Sequence, residues 1–392
     1  MKVKPAKRLS RISPSGMRAL FDIARKLNSQ GKDVIDLGLG DLNLETPVEI
    51  RDEIKRIIET DPTASRYLPN LGLPELLTAI SERYARDYGV DVDPEGGAIV
   101  TAGALEACYD IINAYVEPRD EVIVMDPTFG YFENQALMAG AEVVHTPLKK
   151  SLEIDLNELN EKITPKTKLF VLNYPANPTG QVISRSDMRS VVELCQDNNI
   201  VLLSDECYDG LVYEGKHPCA LEFGYENTIV VCSYSKTYAM TGYRLGYTVG
   251  IDKDVMRPVL LLHMYNTTCV SALTQKAAVK GMELGYEICK KNFDILNHRR
   301  KAGIEKISEL EPLGVRMHYT PKAGFYIFPD VSGTGLSGEE FAQKLLDDKS
   351  VIVVPGKNFG TAYPDNIRIS FGAVDRDRVV ESIQRMKDFL EE

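Results

Sequence analysis

From about residue 97 to 250, short apolar runs alternate with amphipathic ones, and few architectures accept that order. Ala98-Ile-Val-Thr, Glu121-Val-Ile-Val-Met, Glu142-Val-Val-His-Thr, Lys168-Leu-Phe-Val-Leu, Ile200-Val-Leu-Leu-Ser and Thr228-Ile-Val-Val-Val-Cys read as strands. Aliphatic, β-branched runs without a polar face belong in a sheet covered on both sides. Residues 105–115, 131–138 and 186–198 carry helical spacing, the last with Ser186 as its N-cap. This alternation predicts an α/β fold with a mostly parallel central sheet sandwiched by helices. Residues 245–249 read as the strand after Thr228-Ile-Val-Val-Val-Cys.

Past Gly250 the pattern changes. Residues 252–310 read as mainly helical, with a long stretch over 270–308 that offers a hinge. Arg316-Met-His-Tyr, Gly324-Phe-Tyr-Ile-Phe, Val351-Ile-Val-Val and Asn366-Ile-Arg-Ile-Ser-Phe then read as strands, with helices near 338–347 and 376–390. This is a second, smaller α/β unit, and 392 residues are too many for one small core.

A net charge of −11 with both signs interspersed argues against a nucleic-acid or anionic-membrane partner. The basic N-terminus is followed by no apolar signal region, and no run is long enough to span a bilayer, so a cytoplasmic location is expected. The seven cysteines are scattered without a Cys-x-x-Cys pair, and the histidines are scattered too. No metal site is expected from such spacing. With no Trp in the chain, a ring stacked on any cofactor must be Phe, Tyr or His.

The chemistry concentrates where the strands end. Ser233-Tyr-Ser-Lys236-Thr-Tyr-Ala-Met-Thr-Gly242-Tyr-Arg244-Leu-Gly246 sets one lysine between hydroxyls and an arginine, directly after a buried strand. Lys236 can form a Schiff base with a phosphorylated aldehyde while Ser233, Ser235 and Arg244 hold the phosphate. Asp205 stands at the mouth of another strand, where a carboxylate needs a cation such as a pyridinium N–H, or caps the next turn. Asn173-Tyr-Pro-Ala-Asn177-Pro-Thr-Gly180 reads as a turn from its Asn-Pro and Thr-Gly pairs. Thr101-Ala-Gly103-Ala104-Leu105 joins a strand to a helix whose first amides can bind an anion. Gly333-Thr-Gly335-Leu-Ser-Gly338 matches a dinucleotide-loop spacing, but it lies in the minor unit and lacks the acid expected at the end of a second strand.

The Lys236 run, Asp205-Glu-Cys-Tyr208 and Asn177-Pro-Thr-Gly180 together resemble the class I/II pyridoxal-phosphate aminotransferases of fold type I, aspartate aminotransferase-like. The resemblance covers the chain from about residue 10 to the end. It implies a large cofactor domain over 46–282 and a small domain from 1–45 and 283–392. It implies pyridoxal 5′-phosphate on Lys236, with Asp205 on the ring nitrogen and Tyr208 and Asn177 on the ring hydroxyl. Gly103, Ala104 and Leu105 would bind the phosphate through their amides, with Ser233, Ser235 and Arg244. Phe129, in Pro127-Thr-Phe129-Gly-Tyr131, would stack on the ring. Arg368 would grip the substrate carboxylate, with Gly40 adding a backbone contact. The resemblance also implies a homodimer in which Tyr67, in Arg66-Tyr67, reaches the neighbour's phosphate, joined less specifically by Thr267 and Thr268.

Two positions depart from the family pattern: Asp41-Leu42 replaces a Glu-Pro pair, and Leu105 stands where some aspartate-directed members carry a lysine. The expected activity is amino transfer from an L-amino acid (aspartate, alanine or aromatic) to a 2-oxo acid such as 2-oxoglutarate, with ping-pong kinetics. The same lysine would also serve a carbon–sulfur β-lyase, because the bond that breaks is set by its angle to the ring. A non-catalytic regulator of this fold would carry a basic helix-turn-helix ahead of the domain, and none is seen.

Overall fold

The computed structural model describes residues 3–12, 23, 25–27 and 29–392. The expected 1–45 segment of the small domain therefore lies partly outside the described residues. A seven-stranded sheet is built from β2 (Ala98–Thr101), β3 (Glu121–Asp126), β4 (Glu142–Pro147), β5 (Thr167–Asn173), β6 (Val201–Asp205), β7 (Thr228–Ser233) and β8 (Gly246–Val249), preceded in the chain by β1 (Ile35–Asp36). The strand order is β2-β8-β7-β6-β5-β3-β4. The pairs from β4 to β7 are parallel, and β8 runs antiparallel to both β7 and β2.

Side chains of the central strands feed two cores in strict alternation. Val122, Val124, Leu169 and Val171 pack on one face, and Ile123, Met125, Phe170 and Leu172 on the other. Each such fully buried side chain contributes about 1.5–3 kcal/mol, so the register is strongly specified. The covering helices are α1 (Val48–Thr60), α2 (Pro74–Tyr88), α3 (Ala104–Tyr115), α4 (Tyr131–Ala139), α5 (Leu156–Lys162), α6 (Arg185–Asp197), α7 (Tyr234–Thr237), α8 (Lys253–Asn266) and α9 (Ala272–Leu284). None of the described helices is long and apolar enough to cross a membrane.

The C-terminal third adds α10 (Lys290–Ser308), β9 (Tyr326–Ile327), α11 (Gly338–Lys349), β10 (Val351–Ile352), β11 (Val354–Pro355), β12 (Ile367–Ser370) and α12 (Arg376–Glu391). β11, β12 and β9 form an antiparallel sheet, while β10 pairs in parallel with β1.

Several local expectations change. The cap of α6 is Ser184, whose Oγ accepts from the Asp187 amide at 3.0 Å, and Ser186 lies inside the helix. The 270–308 stretch is broken at Gly285, which has φ +67°, and at a 3-10 turn over Gly285–Cys289. Arg316 makes one antiparallel bridge to Asp330 in place of a strand. The Val351 run divides at Val353 because its two halves pair with different sheets. The Gly333–Gly338 loop is a helix-capping turn: Ser337 and Glu340 bond each other's amides, and acids in that first turn oppose an anion.

Candidate active site

Parallel sheets gather loops at the carboxyl ends of their strands, and the motifs converge there. Asn173 of β5 is level with Asp205 of β6, and Gly246 of β8 lies between Ser233 of β7 and Thr101 of β2. A cavity of about 570 Å³ opens at this edge. Lys236, Asp205, Tyr208, Asn177, Arg368 and Arg244 all line it. So do Gly40, Leu105, Ala104, Phe129, Ser233 and Ser235.

Lys236 sits in the single turn α7, entered through Ser233, whose Oγ accepts from the Ser235 amide at 3.1 Å. Its Nζ donates to the Gly40 carbonyl at 2.8 Å. Asp205 is buried, and one carboxylate oxygen accepts from the Cys207 amide at 3.1 Å. Burial pushes its carboxyl up, against the opposing pull of the Cys207 contacts. Tyr208 and Tyr326 share a hydroxyl–hydroxyl bond of 3.0 Å, and burial raises the Tyr208 phenol.

Arg368, only 1% exposed, is held by its surroundings. It donates to the Gly38 carbonyl at 2.6 Å and to Asn177 Oδ1 at 3.1 Å, and lies over the rings of Tyr326 and Phe359. Its Nε is buried without a partner, and no carboxylate pairs with it among the described residues. Burial pulls its pKa below the ordinary arginine value. A buried, unpaired guanidinium is costly in isolation, so it marks a place for an anion.

The opposite end is shaped by glycine. Gly103 has φ +94°, and a Cβ there would lie 2.6 Å from Arg244 Nη2. A Cβ on Gly246 would lie 2.9 Å from the Ala104 amide nitrogen. Bare backbone at both positions lets a guanidinium and the first amides of α3 converge.

The aminotransferase class I and II profile matches residues 32–386. The chain belongs to that family. An aspartate aminotransferase of Pyrococcus horikoshii is 37% identical over 98% of this chain and 97% of its own. An aromatic-amino-acid aminotransferase of Thermococcus litoralis is 31% identical over 98% of each. Among solved structures, the aspartate aminotransferase from Thermus thermophilus with maleate superposes with a TM-score of 0.92 at 28% identity, covering 99% of this chain and 100% of that one.

The aminotransferase uses pyridoxal 5′-phosphate, and the residues present fit it. Ser233, Ser235, Arg244 and the amides of Ala104 and Leu105 suit a phosphate dianion. The cation-deficient carboxyl of Asp205 suits a pyridinium N–H. Phe129 faces the cavity, stacked on Tyr131 with ring centres 4.6 Å apart. Tyr67 does not line the cavity of its own chain and is 87% exposed. Thr267 donates its hydroxyl to Glu106 of the same chain, and the Thr268 carbonyl accepts from Asn70 at 2.7 Å.

Folding also assembles groups the sequence reading left apart. Tyr326, on a two-residue strand, contacts both Tyr208 and Arg368; its place in an aromatic strand is the available signal. Glu106, Asp110 and His263 meet within 4.8 Å, although the histidines look scattered along the chain. The i,i+4 acids on α3 are legible, but their partner on α8 comes only from the packing of the two helices.

Proposed function

We propose that the enzyme moves the amino group of an L-amino acid with an aromatic side chain to a 2-oxo acid such as 2-oxoglutarate. The supporting observation is the wall of the cavity. Leu39, Leu105, Phe129, Tyr131 and Tyr326 line it, and its only side-chain cations among the described residues are Lys236, Arg244 and Arg368. Those three serve the reacting amine, the phosphate and the α-carboxylate. A second carboxylate, as on aspartate, meets no further side-chain cation among the described residues, whereas an aromatic ring meets apolar surface. Relatives named for aspartate and for aromatic amino acids both match over 98% of the chain, and the lining is what supports the aromatic reading.

In this reading Arg368 holds the α-carboxylate through two parallel hydrogen bonds, and Asn177 holds Arg368 in plane. The bound cofactor supplies an electron sink that acidifies the substrate Cα–H. Once the substrate amine has displaced it from the cofactor's aldehyde carbon, Lys236 Nζ would take the Cα proton as base and return it as acid to that carbon, two bonds away. Asp205 would keep the ring nitrogen protonated, and Tyr208 and Asn177 would hold the ring hydroxyl. The two half-reactions share this site, giving ping-pong kinetics.

We also propose that the active unit is a homodimer. Tyr67, Leu261, Met264 and Tyr265 are exposed, Tyr265 to 83%, and the Asn70–Thr268 bond ties their two segments together. Such apolar exposure fits a face covered by a second copy, from which Tyr67 would reach the neighbouring phosphate. Substrate preference is tested by kcat/KM for phenylalanine, tyrosine, alanine and aspartate with 2-oxoglutarate. An aromatic donor is expected to exceed aspartate by about tenfold or more, and a preference for aspartate would overturn the reading.

A further inference from the structure

The Ala102 peptide, just before the phosphate turn, is clamped from both sides. Its carbonyl accepts from Arg244 Nη2 at 3.4 Å, and its N–H donates to Glu106 Oε2. Glu106 is the third residue of α3, so its side chain folds back over the turn, much as the acid of a capping box does. Its other oxygen accepts from His263 Nδ1 at 2.8 Å and from the Thr267 hydroxyl, both at the C-terminal end of α8. Thr101 Oγ1 bonds the Gly103 carbonyl at 3.1 Å. One carboxylate thus joins the end of one helix to the start of another, where Ala104 and Leu105 line the cavity.

We propose that Glu106, braced by His263 and Thr267, is a positioning residue that pre-orders the turn for the cofactor phosphate. A turn already fixed in its binding geometry loses less conformational freedom when the dianion arrives, so affinity rises without any contact from Glu106 itself. The carboxylate charge is no help to a nearby dianion, so the contribution is geometric. His263 and Thr267 offset that charge by donating to it. The inference rests on the reading of Lys236 and the phosphate turn given above.

Pyridoxal 5′-phosphate and pyridoxal, which has the same aldehyde and no phosphate, separate the two readings. Each is titrated into full-length protein freed of cofactor, and imine absorbance gives Kd. Glu106→Ala is expected to weaken pyridoxal 5′-phosphate about tenfold and leave pyridoxal unchanged. Glu106→Gln can still accept from Ala102 while its amide donates to Thr267 and to the other His263 tautomer. It should stay within about threefold of wild type. If Glu106→Ala does not fold, His263→Leu removes one brace and should show the same phosphate-dependent contrast, at about threefold. Unchanged phosphate-form affinity in the disrupting variant, equal losses for both forms, or a Gln variant as weak as Ala would each overturn the proposal. Wild-type protein forming no imine with either compound would instead overturn the Lys236 reading, and this inference with it.

Discussion

Arg368 shows how one residue can be structural in its surroundings and functional in its charge. Its contacts to Gly38, Asn177, Tyr326 and Phe359 fix the guanidinium, yet none of them neutralises it. A substrate carboxylate completes the set. Arg368→Lys keeps the charge but loses the planar fork, and kcat/KM for the amino acid should fall about 100-fold. The measurement is steady-state kinetics together with cofactor absorbance. Loss of bound cofactor, or an unchanged kcat/KM, would count against the carboxylate role. That Lys236, Asp205, Tyr208 and Asn177 gather at one cavity is legible in the sequence because each sits in a short motif at a strand end. Tyr326 could not, since its part depends on packing between distant segments.

Between elements, the contact of α3 with α8 buries two acids and a histidine. Glu106 is held below the usual carboxylate range: burial raises it, but the bonds from His263, Thr267 and Ala102 outweigh that. For Asp110 the bond from Asn266 and the nearby His263 compensate less. Burial and the neighbouring Glu106 charge push it up to about 7, and its Oδ2 has no partner. His263 and Asn266 of α8 are the other groups facing it. Because the folded pKa is raised, the protonated acid favours the native state. That stability is full below about 3.8, the ordinary aspartate value, and is lost as pH rises through about 7. Asp110→Asn keeps the Asn266 bond without the titration. Its stability relative to wild type should therefore climb across that window and level off above it, as read by denaturant unfolding at several pH values. A difference independent of pH would contradict this account. Most helices are legible from periodicity, and the differences fall at their ends and at Gly285, where the 270–308 stretch divides. Ser186 was expected to cap α6, but Ser184 stands three residues before Asp187, the spacing that lets a side chain reach the amide.

For the whole molecule, the βα alternation from Ala98 to Val249 gave the sheet, because fully buried parallel strands leave an unbroken apolar record in the chain. The C-terminal unit was harder to read. Its strands are two to four residues long and change partners, as at Val353, so periodicity has little length over which to appear. The position of Tyr67 outside its own cavity belongs to the same scale. Light scattering should give a dimer. Mixing Lys236→Ala with Tyr67→Ala subunits should restore activity above either variant alone, since one of the two sites in a mixed dimer then carries neither change. A monomer, or strictly additive activities, would refute the shared site.

The most direct test of the account is the attachment point of the cofactor. Borohydride reduction of the purified enzyme, followed by peptide mass mapping, should place a single pyridoxyl group on Lys236, and the Lys236→Ala protein should carry none. An adduct on another lysine, or no adduct in the wild-type enzyme, would contradict the site described for this chain.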